Sequence, residues 1–168
     1  ESEDVSTHHV TDIVCLNVGG KRYTTHFETL VLSKSSYFQR FVRIDDFSGK
    51  VLLFRRNFST DSMGAIFVNR DGDLFAHALQ FMRDGKRTAL PQNTEILRQL
   101  VRESEFFGMD IWKSVLEQQL EEADKRENQV TRFSDKTVDK NKTYITNVDL
   151  RPIRAAHSAT PPDFGLKF

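Results

Sequence analysis

Apolar residues recur along the chain with two periods, and the places where the period changes divide it into elements. Ile13-Val14-Cys15-Leu16-Asn17-Val18 is a strand-like run, closed by Gly19-Gly20 and followed by the alternating stretch Arg22-Tyr23-Thr24-Thr25. A Gly-Gly pair suits a tight hairpin because both central residues of that turn take positive φ. Val51-Leu52-Leu53-Phe54 is a second strand-like segment, after a polar bend at 45–49, and Ala65-Ile66-Phe67-Val68 is a third. Elsewhere the spacing is helical. Phe27, Leu30 and Val31 predict one short helix, and Tyr37, Phe38, Phe41 and Val42 another. Leu74, Phe75, Ala78, Leu79 and Met82 share a face of a helix with an acidic cap at its start and Gly85 after its end. Ile96, Leu97, Leu100, Val101 and Phe107 define the next, between Asn93 and Gly108. Asp110 caps a last helix, with Ile111, Trp112, Val115, Leu116, Leu120 and Ala123 inward. On its outer face Glu121 precedes Lys125, and Glu122 precedes Arg126, by four residues, a spacing that stabilises a helix by a few tenths of a kcal/mol per pair. A hairpin followed mostly by helices predicts an α+β fold, not a doubly wound sheet.

The periodic pattern fills only part of the 168 residues, a length that suits about one domain. Residues 1–11 form a polar, acidic segment without a period, and 12–126 carry the patterned domain. Residues 127–168 are weakly apolar and run into Ala159-Thr160-Pro161-Pro162-Asp163, which predicts a tail, an arm ordered by a partner, or the start of another region. Lysine plus arginine total 24, as do aspartate plus glutamate, so the formal net charge is zero. A neutral chain does not attract nucleic acid or an anionic membrane through its overall field; only a local patch does so. The longest apolar runs span four residues, at 13–16, 51–54 and 65–68. A bilayer crossing needs about 20.

Cys15 is the only cysteine, so neither an internal disulfide nor a thiolate zinc site is available. Its place in an apolar run predicts a buried, unreactive thiol, which suits a reducing compartment. No signal-peptide pattern is present and the first residue is not methionine, so the chain is read as an intracellular protein or an excised fragment of one. On that reading the sequons at Asn57 and Asn141 are chance matches.

Few residues offer chemistry. Gly19-Gly20-Lys21 lacks the earlier glycine of a phosphate loop and carries Arg22 where that loop needs a hydroxyl. Asn69-Arg70-Asp71-Gly72-Asp73 resembles part of a calcium loop, but alignment on Gly72 puts Phe67 and Ala78 where the strongest carboxylate ligands belong. The five histidines form no metal-binding spacing, and no nucleophile elbow occurs. No enzyme activity, metal or cofactor is expected. Arg55-Arg56 beside Phe54 and Phe58 is the only basic-aromatic cluster. It reads as the exposed side of a strand, and no nucleic-acid partner is expected from it. What is left is surface. The chain has 14 phenylalanines, and Phe47, Phe54 and Phe58 lie in segments that a small monomer has difficulty covering. Arg70-Asp71 and Arg83-Asp84 flank the Asp73 helix, where they can pair within the subunit or with a neighbouring copy.

Five ordered motifs carry a resemblance. They are Val14-Cys15-Leu16-Asn17-Val18-Gly19-Gly20-Lys21-Arg22-Tyr23-Thr24-Thr25; Thr29-Leu30 with Ser35-Ser36-Tyr37-Phe38; Ile66-Phe67-Val68-Asn69-Arg70-Asp71-Gly72-Asp73-Leu74-Phe75; Leu79-Gln80-Phe81-Met82-Arg83-Asp84-Gly85 with Leu90-Pro91; and Glu103-Ser104-Glu105-Phe106-Phe107-Gly108-Met109. Together they resemble the potassium-channel tetramerisation domain, a branch of the BTB/POZ fold, over about 115 residues.

The resemblance implies a small sheet packed by helices and self-assembly into a homo-tetramer or homo-pentamer. It implies a soluble, cytoplasmic adaptor of the KCTD (potassium-channel-tetramerisation-domain-containing) kind, many of which link substrates to cullin-RING ubiquitin ligases. The alternative use is the cytoplasmic assembly collar of a voltage-gated potassium channel, which requires membrane-spanning sequence absent from this chain. On that basis Asn69, Arg70, Asp71, Arg83 and Asp84 are candidate contacts between subunits. Gly19, Gly20, Gly72 and Gly85 are structural turns, and Phe75, Leu79, Leu100 and Phe107 belong to the core. Phe41, Phe47, Phe54 and Phe58 are the candidate surface for a partner such as a cullin scaffold. Two departures stand out: residues 42–64 are longer than the usual connection, and Asn69 stands where aspartate is common. With Cys15 alone, the zinc-binding branch of channel domains is excluded.

Overall fold

A computed structural model describes residues 4–142, and side chains through residue 132. Glu1–Gln129 is one compact unit and Val130–Phe168 a second, of which the helical residues through Lys142 are described.

Two sheets form. The first has four strands in the order β3 (Lys21–His26), β2 (Ile13–Val18), β7 (Ile66–Val68), β6 (Ser59–Thr60). β2 and β3 are the antiparallel hairpin expected from the sequence, with Val18 opposite Lys21. Gly19 and Gly20 turn at φ +57° and +95°, as that turn requires. β7 joins β2 in parallel, Leu16 opposite Ile66. The second sheet has three antiparallel strands, β1 (Val5–His8), β5 (Val51–Phe54) and β4 (Val42–Ile44), with β5 in the middle.

Five α-helices accompany them among the described residues: α1 (Phe27–Leu32), α2 (Ser36–Gln39), α3 (Gly72–Asp84), α4 (Thr94–Phe107) and α5 (Asp110–Lys142). Asp71 caps α3, its carboxylate accepting from the Asp73 and Leu74 amides at 2.8 and 3.1 Å. Asn93 caps α4 through the Ile96 amide at 3.0 Å, and Gly108 ends it in the left-handed conformation. The faces read from the sequence are buried: Val14, Leu16 and Val18 from β2, Phe75 and Leu79 from α3, Leu97, Leu100 and Phe107 from α4, and Trp112 and Leu116 from α5. They make one core, in which Phe38, Phe41, Phe75 and Phe107 form an aromatic cluster.

Several expectations need correction. The segment 1–11 was expected to carry no element, yet Val5–His8 pairs with β5 from Val5 opposite Phe54 to His8 opposite Val51. α2 stops at Gln39, so Phe41 lies outside it and Val42 opens β4; a turn of helix and a bent strand bring the same side chains inward. Cys15 is exposed, because β2 sends its even positions to the core and Ile13, Cys15 and Asn17 to the other side. Ile111 is 54% exposed; it sits about 100° around α5 from Trp112, off the inward stripe. Asp110 is the first residue of α5, not the residue before it. α5 also continues beyond Arg126 to Lys142, and the tail expected at 143–168 lies outside the described residues.

Candidate assembly surface

α3 carries the candidate contacts near its two ends and is fastened to the β2–β3 hairpin at both. At the start, Gly72 is buried and its backbone lies so close to the hairpin that a Cβ would stand 2.6 Å from both Val18 O and Lys21 Cβ. It is therefore required for a close approach and not for the turn the sequence suggested. The Tyr23 hydroxyl donates to Gly72 O at 2.5 Å, and Lys21 pairs with Asp73. Burial, and then the Asp71 carboxylate nearby, push the Tyr23 phenol above its ordinary pKa. At the far end Arg83 Nη2 donates to Thr24 O at 3.0 Å, capping a carbonyl on edge strand β3. Asp84 accepts from Gln80, and Gly85 closes the helix at φ +59°.

The five candidates divide by environment. Asn69, Asp71, Arg83 and Asp84 are exposed, although Asp71, Arg83 and Asp84 also make the internal bonds just described. Arg70 is half-buried and bound within its own chain by Glu103 of α4: its Nε donates to Oε2 at 3.1 Å and its Nη2 to Oε1. Its guanidinium also stands 4.4 Å from the Phe106 ring centre. The Glu103 hydrogen bonds raise the Arg70 pKa further. Neither Arg-Asp dipeptide pairs internally, since each arginine takes a different partner. Glu103 is the partner of Arg70 that sequence reasoning missed. The signal was its position: it falls on the Ile96, Leu100, Phe107 face of α4, where a carboxylate needs a cation.

The four phenylalanines do not form one surface. Phe41 is 1% exposed, packed 5.1 Å from the Phe58 ring and 5.7 Å from Phe38, and is withdrawn as a docking residue. Phe54 and Phe58 are half-buried, and Phe54 carries Arg43 over its ring at 5.3 Å. Phe47 is wholly exposed at the tip of the β4–β5 loop. Arg55 and Arg56 are exposed in a 3-10 turn, and Arg56 pairs with Asp4. Among the described residues no three His, Cys, Asp or Glu side chains gather as a metal site, and no helix is long and apolar enough to cross a membrane.

Residues 14–119, which hold the β2–β3 hairpin, the parallel β7 and the capped α3, match the model of the BTB/POZ domain family. The chain belongs to that family. Within it the chain is KCTD-like, of the oligomerisation and adaptor type. It is 33% identical over 118 residues to the human BTB/POZ domain-containing protein KCTD21, covering 70% of this chain and 41% of that one. It is 35% identical over 108 residues to the Caenorhabditis elegans protein F47D12.3, covering 62% and 77% respectively. A third relative, DDB_G0287347 of Dictyostelium discoideum, is 35% identical over 116 residues, which is 69% of this chain but 13% of that protein. The chain thus spans about three quarters of one relative and less than half of the other two.

Proposed function

We propose that this chain is a non-enzymatic homo-oligomerisation module of a cytoplasmic KCTD-like adaptor, assembling head to tail into a tetramer or pentamer. The observation that carries it is the separation of charge along α3. Asp71 and Asp73 stand at its start, while Arg83, Lys86 and Arg87 stand at or just past its end against the single Asp84. The two ends are about 18 Å apart at 1.5 Å per residue. A heterologous contact, in which one patch meets a different patch on the next copy, sets such unlike ends together and closes into a ring. Each sign also suits the helix dipole at its own end, so the arrangement does not strain the isolated subunit.

A cullin scaffold is the proposed further partner, docking on the exposed residues between Phe54 and Met63 and the neighbouring helix ends. Two measurements test the reading. Light scattering is expected to give four copies of 19.4 kDa, about 78 kDa, or five, 97 kDa; a monomer at every concentration defeats it. Pull-down with a purified cullin amino-terminal region is expected to retain the chain. No retention removes the ligase role and leaves assembly intact.

A further inference from the structure

Phe47 stands out on an acidic loop, and the groove beside the end of α3 is apolar with lysines at its edge. The ring of Phe47 is 101% exposed, yet the loop presenting it is tightly bonded. The Asp45 amide donates to Lys50 O at 2.8 Å, the Gly49 amide returns to Asp45 O at 2.8 Å, and the Ser48 amide and hydroxyl both donate to the Asp45 carboxylate. Those Ser48 bonds hold the Asp45 carboxyl below its usual pKa. With Asp45 and Asp46 against Lys50, the tip is net acidic. An aromatic ring on a stiff turn loses little entropy when it is captured.

The groove measures about 400 Å³ and lies where the ends of α1 and α3 meet the start of α5. Phe81 and Trp112 stack in its wall, ring centres 6.0 Å apart, and Leu32 and Ile111 stand at it with 69% and 54% of their surface exposed. Lys34 and Lys86 line it too, with Asp110 the only acid. Lys34 is the one non-glycine residue with positive φ among the described residues, at +55°, just after the end of α1. That conformation costs about 1–2 kcal/mol for a residue with a Cβ, and such strain gathers at functional sites.

We propose that the groove of one copy receives Phe47 of a second copy, with Asp45 and Asp46 set against Lys34 and Lys86. The inference rests on the self-association proposed above and gives it a second surface. Knob and groove are different patches, so the contact is heterologous, consistent with head-to-tail closure. A single aromatic anchor in an apolar pocket carries a large share of the affinity of such contacts.

The test measures assembly of the chain by sedimentation velocity across a concentration series, for wild type, Phe47→Ser and Leu32→Glu. Both substituted side chains are exposed, and circular dichroism checks that each variant stays folded. Each variant is expected to raise the dissociation constant at least about tenfold. A 1:1 mixture, in which one variant keeps the knob and the other the groove, is expected to form a two-subunit species more tightly than either variant alone. If wild type is monomeric throughout, the self-association reading falls and this inference with it. If wild type assembles and both variants assemble as tightly, the knob-and-groove contact is wrong and self-association stands. Weakening by only one variant, or no tighter association in the mixture, also overturns the contact.

Discussion

Arg70 and Glu103 join the β7–α3 corner to the buried face of α4 through two parallel hydrogen bonds, and the pair is asymmetric. Glu103 is 4% exposed, whereas about a third of the Arg70 side chain reaches solvent. Removing the arginine strands a buried carboxylate, while removing the carboxylate leaves a cation that can turn toward water. Arg70→Ala is therefore expected to destabilise by about 3 kcal/mol or more, and Glu103→Leu by less, in urea unfolding. Equal losses, or a larger one for Glu103→Leu, count against this account.

Asp61 titrates as a structural group. Asn17 Nδ2 donates to its Oδ2 at 2.9 Å, Arg22 Nη2 reaches the same oxygen at 2.6 Å, and the Met63 and Ala65 amides donate to Oδ1. The Asn17 bond, followed by the backbone amides and Arg22, lowers its pKa below the ordinary 3.8. Protons then bind the unfolded chain more readily than the folded one. The stabilisation is complete above pH 3.8 and is lost as pH falls through the lower folded value. Asp61→Asn is expected to shrink the loss of stability below that pH, read from thermal melts in an acid series.

Gly108 ends α4 at φ +61°, and a Cβ there would stand 1.7 Å from Ser36 Oγ. Backbone strain and the collision act together, so Gly108→Ala is expected to cost at least about 2 kcal/mol in chemical denaturation. Gly20→Ala isolates the strain, because nothing lies within 4 Å of a Cβ at that position. It is expected to cost less.

Lys34→Gly has the opposite sign. Relief of the left-handed backbone outweighs the entropy of glycine in the unfolded chain, so stability is expected to rise by up to about 1 kcal/mol. A drop in melting temperature would show that the lysine side chain stabilises the subunit itself.

Asp84→Arg reverses a charge at the basic end of α3 and disturbs only the contact with Gln80 inside the subunit. The folded subunit is expected to keep its stability, and because the end of α3 is then more positive toward the acidic start on the next copy, assembly is expected to hold or tighten. A native mass that falls toward the monomer overturns the pairing of unlike α3 ends.

The strands at 13–18 and 51–54 and the helices α3 and α4 were legible because each carries its own apolar stripe, cap and stop. Val5-Ser6-Thr7-His8 has no such stripe. It is extended because β5 supplies partners for its backbone, and that cause lies more than 40 residues away. Phe41 and Val42 misled for a related reason: both are buried, Phe41 among aromatic rings and Val42 on β4 opposite Leu53, which leaves their spacing indifferent to helix or strand. The motif Asn69-Arg70-Asp71-Gly72-Asp73 marked the corner between β7 and α3, but it did not reveal that Arg70 is held by Glu103, 33 residues on. The exposed Ile111 and the twisted Lys34 became meaningful only when the ends of three helices met.

The place of β1 bears on how the protein is handled. Trimming the amino end past His8 bares one flank of β5 and leaves a ladder of donors and acceptors open to any extended peptide. A version shortened to begin at the β2 hairpin, as the patterned region alone would suggest, is therefore expected to precipitate where the longer chain stays clear.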